Sequence, residues 1–317
     1  MSAKSRGQFS VFWRIVTKEN NMLDPRRTAF RPDIAADFLK GIVKADCYVS
    51  GQRMLVSTPT APLKNRPDRI CSMSAELIKG EIFTVYDEKD SWCWGQSQED
   101  DYVGWVLSAN LSADVPDFDS NPNYRVCVLA THIYAEPDIR SPCIDWVPLL
   151  GKVCVTDNNI KAKGMNFPFC AVERGYIPIQ HLLALDAFSA EEKKKDFVSI
   201  AELFTGTPYL WGGETVRGID CSALVQNSLL ACGYFCPRDS DMQQGELGVE
   251  KDPNAAMARG DLVFWKGHVG VMCDSETILH ATAHSMVVVR ESFDTVVRRH
   301  ASLHDVGDVC QIRRLPD

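Results

Sequence analysis

Short apolar runs separated by turns fill the chain from about residue 45 to residue 112. Ala61-Pro62-Leu63 leads into Glu76-Leu77-Ile78-Lys79-Gly80-Glu81-Ile82-Phe83-Thr84-Val85-Tyr86, which reads as one long strand. A charged turn, Asp87-Glu88-Lys89-Asp90, separates it from Ser91-Trp92-Cys93-Trp94-Gly95-Gln96, and Tyr102-Val103-Gly104-Trp105-Val106 closes the unit. Such runs with turn residues between them predict β-structure. A similar course follows from 124 to 183: Val147-Pro148-Leu149-Leu150-Gly151-Lys152-Val153-Cys154-Val155-Thr156 echoes the long strand, and Gly175-Tyr176-Ile177-Pro178 echoes the closing turn. The pattern predicts two small β units, at 45–114 and 122–186.

From Ser189 the period becomes helical. Ser189-Ala190-Glu191-Glu192 has capping-box spacing, in which Ser and Glu satisfy free amides reciprocally. Phe197, Ile200, Ala201 and Phe204 then fall on one helical face, and Gly206 ends the helix. Leu224, Val225, Leu229 and Cys232 repeat the helical spacing before Gly233, and strand-like runs follow, so 187–317 predicts an α+β domain. Residues 1–44 are polar and interrupted by Pro25 and Pro32; Ile34–Leu39 reads as a turn or two of helix within an arm that serves as a tether.

Composition narrows the function classes. The 317 residues are 45% hydrophobic and 24% charged, ordinary for a globular protein. A formal net charge of −8 and the lack of a Lys/Arg block argue against nucleic acid as a partner, and a peptide substrate fits better. The apolar patch after Met1 is too short for a secretory leader, and no long apolar run predicts a membrane span. Twelve cysteines are scattered with no C-x-x-C, which predicts free thiols in a reducing compartment and a cytoplasmic protein.

The chemistry concentrates near the C-terminus. Asp220-Cys221-Ser222 opens the second predicted helix, where free amides and the positive dipole end favour a thiolate and can receive an oxyanion. His268-Val269-Gly270-Val271 and Thr277-Ile278-Leu279-His280 form a predicted hairpin that brings two imidazoles together. Cys221 is the candidate nucleophile, His268 the general base, and His280 the group that orients it. His280-Ala281-Thr282-Ala283-His284 has two histidines at the spacing of a helical zinc site. Its histidines stand far apart along a strand, and Ala281 occupies the place of a metalloprotease glutamate, so neither metal nor another cofactor is expected.

Tyr209-Leu210-Trp211-Gly212-Gly213, Asp220-Cys221-Ser222, Gly260-Asp261-Leu262-Val263-Phe264 and His268-Val269-Gly270-Val271, in this order, resemble the NlpC/P60 cysteine peptidases, and the two β units look like tandem bacterial SH3-like barrels. The resemblance implies a papain-like core, a catalytic Cys221, His268 and His280, and cleavage of murein-derived peptides between γ-D-glutamate and a diamino acid. It also places Tyr209, Asp220 and Ser222 at the substrate. Ala223 departs from the family's usual glycine. Relatives with SH3-like domains resemble this chain in the pair Asp239-Ser240, which implies a carboxylate facing the free amine of an N-terminal L-Ala; Tyr102 is the candidate wall contributed by the first barrel. The alternative for Asp239 or Ser240 is a helix cap. Three functions stay open: a peptidase that recycles released wall peptides, an exported endopeptidase acting on intact wall, and a wall-binding module with a vestigial hydrolase domain. Oligomeric state is not legible.

Overall fold

Gly80 breaks what the apolar pattern presented as a single strand. Its φ of +87° lies in the left-handed region that glycine tolerates, and the chain turns there between strands Met73–Ile78 and Ile82–Lys89. The computed structural model of the protein describes residues 23–115, 123–185, 196–252 and 255–316.

The first β unit is a seven-stranded antiparallel sheet. In spatial order its strands are Met73–Ile78, Thr60–Lys64, Val103–Leu107, Trp92–Ser97, Ile82–Lys89, Gln52–Val56 and Leu111–Ser112. The second has the same order: Cys143–Pro148, Ala130–Tyr134, Gly175–Pro178, Pro168–Val172, Lys152–Lys161, Asn123–Val126 and Leu182–Ala184. The two are copies offset by 70 positions (130 − 60) through much of their length. Register shifts recur at that offset, at Leu63/Lys64 and Ile133/Tyr134, and again at Val85/Asp87 and Val155/Asp157. So does the turn chemistry: Asp68 accepts the Ile70 amide at 3.0 Å, and Asp138 accepts the Arg140 amide at 3.0 Å. Leu150 takes the place of Gly80, with a φ of +69°.

The segment before the first barrel is a packed layer, contrary to the tether expected for it. Within the described part, Ile34–Ala36 is a strand paired in parallel with Cys47–Val49, and Asp37–Leu39 is a single 3-10 turn in place of the expected helix. Ala29, Ile34, Ala35, Ala36 and Leu39 bury themselves against Trp92, Trp94 and Trp105. The Arg31 guanidinium lies over the Trp94 and Trp105 rings, 4.5 and 5.0 Å from their centroids, a contact that desolvated indoles strengthen. These aromatic surfaces need a cover, and the segment supplies it.

The C-terminal domain has four helices among the described residues: α1 (Phe197–Leu203), α2 (Cys221–Ala231), α3 (Ser240–Glu246) and α4 (Phe293–Ala301). Asp196 caps α1, its side chain accepting the Val198 amide at 3.1 Å; the Ser189 capping box lies outside the described residues. A six-stranded antiparallel sheet runs Val249–Glu250, Gln311–Arg314, Leu262–Trp265, His268–Met272, Thr277–Thr282, Val287–Ser292. Alternation along the strands gives it two buried faces. Leu262, Phe264, Val269, Val271, Leu279 and Ala281 pack with α1 and α2, while Val263, Trp265, Met272 and Ile278 pack against Val296 of α4.

The first barrel docks on this domain through specific contacts. Met242 of α3 enters the barrel core beside Tyr102. Glu76 accepts the Glu214 amide at 3.2 Å, and Asp100 accepts from Gln226 Nε2 at 3.0 Å. Strand Met73–Ile78 also presses on the Gly212 loop: a Cβ at Gly212, where φ is +75°, would stand 3.1 Å from Met73 Cγ and 3.2 Å from Met73 O. Gly206 shares the left-handed backbone but has open space around it. Gly206→Ala should therefore cost about 1 kcal/mol, the backbone penalty alone, and Gly212→Ala about 2–3 kcal/mol because tight packing is added. Urea unfolding of the two variants side by side measures the difference.

Candidate active site

The site begins at the start of α2. The hairpin strands Glu214–Thr215 and Gly218–Ile219 deliver the chain to Asp220, which caps the helix by accepting the Ala223 amide at 2.8 Å. Cys221 is the first helical residue and is buried. Burial pushes its thiol up to about 12, the Asp220 carboxylate adds to this, and the Val269 and Ser222 amides with the Arg238 charge work against it. The thiolate expected from the helix dipole is thus corrected. The cap carboxylate answers the positive end of the helix, and desolvation favours the neutral thiol. The Val269 amide directed at the sulfur sets Cys221 against the residue that follows His268.

His268 begins its strand, and His280 stands on the neighbouring one. Gly270 lets the two strands approach closely beside His280, since a Cβ there would lie 3.3 Å from His280 Cβ and 2.7 Å from Ile278 Cδ1. His268 Nε2 and His280 Nδ1 are 2.9 Å apart, and His280 Nε2 lies 2.9 Å from Glu291 Oε2. Arg299 of α4 holds Glu291 with two hydrogen bonds, 2.8 and 2.7 Å, which keep that carboxyl ionised at about 2. A carboxylate only accepts, so His280 must donate from Nε2 and present a lone pair at Nδ1. His268 then donates from Nε2, which leaves its Nδ1 as the proton acceptor. Glu291 sets the tautomer of both rings. Burial lowers the His268 imidazole well below 6.5, and His280, His300 and Arg299 lower it further. At neutral pH the pair is a neutral thiol and a neutral base.

His300 completes the surroundings. Its ring stands edge-on to His268 and Trp265, with centroid distances of 5.2 and 4.8 Å, and burial brings its imidazole down to about 4. Glu291, Arg299 and His300 went unread in the sequence; their only signal was that His280 needs a partner on its far nitrogen.

Beneath Cys221 lies Arg238, which the sequence reading also missed. It is 1% exposed. Its Nη1 and Nη2 grip Asp220 at 3.0 and 2.8 Å, Nη1 also donates to Ser222 Oγ at 2.9 Å, and Nε donates to Glu214 at 2.7 Å. Asp220 further accepts the Gly212 amide at 3.0 Å. The Asp220 and Ser222 side chains thus turn inward and brace the nucleophile. Tyr209 is held by its amide on Met286 O at 2.9 Å, and burial together with Cys221 and Asp220 raises its phenol.

Asp239 and Tyr102 meet across the interface between domain and barrel. The Tyr102 hydroxyl donates to Asp239 Oδ2 at 3.0 Å. Although Asp239 occupies the cap position of α3, its side chain makes no capping bond, so the capping alternative does not hold for it; Ser240 is the first, half-buried residue of that helix. Burial pushes the Asp239 carboxyl up, and Arg238, the Tyr102 hydroxyl and Arg26 pull it back.

Residues 206–304 match the NlpC/P60 family, and residues 63–111 match the bacterial dipeptidyl-peptidase Sh3 domain. The chain carries an NlpC/P60 domain behind a dipeptidyl-peptidase SH3 domain. Dipeptidyl-peptidase 6 of Lysinibacillus sphaericus is 31% identical over 141 residues, 41% of this chain and 50% of the relative. A γ-D-glutamyl-L-lysine dipeptidyl-peptidase of Bacillus subtilis is 33% identical over 132 residues, 36% of this chain and 44% of the relative. The matched part therefore spans about half the length of these curated relatives. An NlpC/P60 family protein of Bacillus cereus has the same fold, with a TM-score of 0.64 at 17% identity, covering 83% of this chain and 100% of that one. NlpC/P60 is a peptidase family, which makes hydrolysis the chemistry to be explained.

Two outcomes follow from the NlpC/P60 domain's geometry. Arg238→Met leaves the buried Asp220 and Glu214 unpaired and should destabilise the fold by about 3–5 kcal/mol in urea unfolding. Glu291→Gln lets an amide N–H face His280 Nε2 and so favours the wrong tautomers; kcat should fall about 10–100-fold with the fold intact. In the unsubstituted protein the depressed His268 imidazole keeps the base neutral at pH 6.5. The acid limb of kcat/KM should accordingly lie below that pH, with rate lost only as His268 protonates.

Proposed function

We propose that the chain is a cysteine peptidase that cleaves the γ-D-glutamyl–diamino acid bond of short murein-derived peptides whose N-terminal L-Ala carries a free amine. The observation that carries this reading is the Tyr102 hydroxyl on Asp239 Oδ2, a half-buried carboxylate at the junction of barrel and NlpC/P60 domain, next in the chain to the Arg238 that braces the start of α2. A cation on the substrate pairs with such a carboxylate, whereas an acylated N-terminus brings no charge to it and forgoes that interaction. The names of the Lysinibacillus and Bacillus subtilis relatives support a dipeptidyl-peptidase, and the second of these supports the γ-D-glutamyl bond.

In this reading His268 Nδ1 takes the thiol proton as Cys221 Sγ attacks the carbonyl carbon. The oxyanion lies against amides at the start of α2, where intrahelical partners are lacking. As the tetrahedral adduct collapses, the C–N bond breaks and His268 delivers its proton to the leaving amine. Water, deprotonated by His268, then hydrolyses the thioester and restores the thiol. His280 and Glu291 hold the imidazole in the tautomer that this sequence needs. The setting we propose is recycling of released peptides in a reducing compartment, which the exposed thiols of Cys47, Cys143 and Cys310 support.

L-Ala-γ-D-Glu-diaminopimelate with a free N-terminus should be cleaved with a kcat/KM roughly 10–10² times that of its N-acetyl form, the range for one hydrogen bond to a charged group. Equal rates for the two peptides reject the amine reading and favour an endopeptidase acting on intact wall.

A further inference from the structure

The carboxylate assigned to the substrate's amine already holds a cation. Arg26, in the segment before the first barrel, places Nη1 2.8 Å from Asp239 Oδ2, the same oxygen that accepts the Tyr102 hydroxyl. Its backbone carbonyl accepts the Val103 amide at 2.7 Å, beside Tyr102, and the neighbouring Arg27 reaches Glu246 of α3 at 2.6 Å. The segment is thereby fixed across barrel and helix, with Arg26 aimed into the junction.

Arg26 also has other anchors. Nε and Nη2 bind Asp24 at 3.1 and 2.7 Å, and Nη1 and Nη2 bind Asp241 at 2.9 and 2.8 Å. Asp239 therefore contributes one hydrogen bond among several. A guanidinium that lets go of Asp239 keeps its forks on Asp24 and Asp241, so release requires a small side-chain shift and no uncompensated charge. Both partners are partly exposed, 36% for Arg26 and 24% for Asp239, which keeps the exchange modest in energy.

Resting on the amine-recognition reading above, we propose that Arg26 is a specificity-determining residue: it occupies Asp239 in the free protein, and the ammonium of the entering peptide replaces it there. Ammonium for guanidinium is an exchange of one cation for another, and Asp239 stays paired throughout. A neutral, acylated N-terminus brings no charge and cannot complete the exchange. Arg26 thus adds to the discrimination while raising the KM of the accepted peptide.

The test compares the full chain with Arg26→Gln and Arg26→Lys, using the free and N-acetyl tripeptides. In Arg26→Gln the competitor is gone, and the KM for the free-amine peptide should fall roughly three- to tenfold, the range for one partly exposed charge-assisted hydrogen bond. Arg26→Lys keeps a cation at this position and should stay nearer the unsubstituted protein. In a Cys221→Ala background, which binds without turnover, calorimetry should show the dissociation constant of the free-amine peptide falling by the same factor on adding Arg26→Gln. A KM and dissociation constant that stay unchanged or rise overturn the role of Arg26 while leaving the amine reading in place, provided the unsubstituted protein still prefers the free peptide. Equal cleavage of free and acetylated peptide by the unsubstituted protein removes both.

Discussion

Everything around the nucleophile rests on the buried guanidinium of Arg238. It is the common partner of the α2 cap, Asp220, of the hydroxyl next to the nucleophile, Ser222, and of Glu214 in the hairpin that faces the first barrel. A guanidinium taken out of water must have its donors met, and here two carboxylates and a hydroxyl from separate parts of the chain meet them. That requirement fixes the start of α2 relative to the hairpin and to the loop that carries Asp239. The position of Cys221 is thus a consequence of where one charge can be buried.

The catalytic machinery reaches the same end by suppressing charge. Cys221 and His268 are both desolvated, so each favours its neutral form, and the only firmly ionised carboxylate of the relay, Glu291, is two steps away and neutralised by Arg299. Electrostatic control is exerted at a distance through hydrogen-bond direction. Glu291 can only accept, and that single restriction passes through His280 to decide which nitrogen of His268 carries a proton. Neutral reactants pack closely in an apolar surround, and the charge that develops during attack then appears in a region of low screening, where aligned amides act strongly on it.

Much of this was legible because the informative residues lie in contiguous runs. Cys221 at a predicted helix start and the two histidines in a predicted hairpin need only local pattern to be placed. Tyr102 and Asp239, by contrast, stand 137 positions apart, and Arg26 and Asp239 213. Arg26, Arg238, Glu291 and Arg299 read in the sequence as ordinary solvated charges, because nothing in one dimension distinguishes a buried guanidinium from an exposed one. The β texture was visible, yet the strand break at Gly80 and the packing of the segment before the barrel were not. The first depends on a backbone angle that a lone glycine only permits, and the second on three indoles needing cover from a polar-looking stretch. The duplication was half visible through its echoes, whereas its recurring bulges belong to register, which only the folded sheet displays.

The proposed amine site takes Tyr102 and Asp239 from two packed units and its competing cation, Arg26, from a third, whereas Cys221, His268, His280 and Glu291 all belong to one domain. Fidelity and chemistry consequently have different fragilities. Loosening of the barrel from α3 parts Tyr102 from Asp239 while the relay stays whole. On the proposed reading, damage of that kind yields an indiscriminate hydrolase before it yields an inert one. The tight joints between barrel and domain would then be a safeguard on what the thiol is allowed to cut, quite apart from any part they play in holding the molecule together.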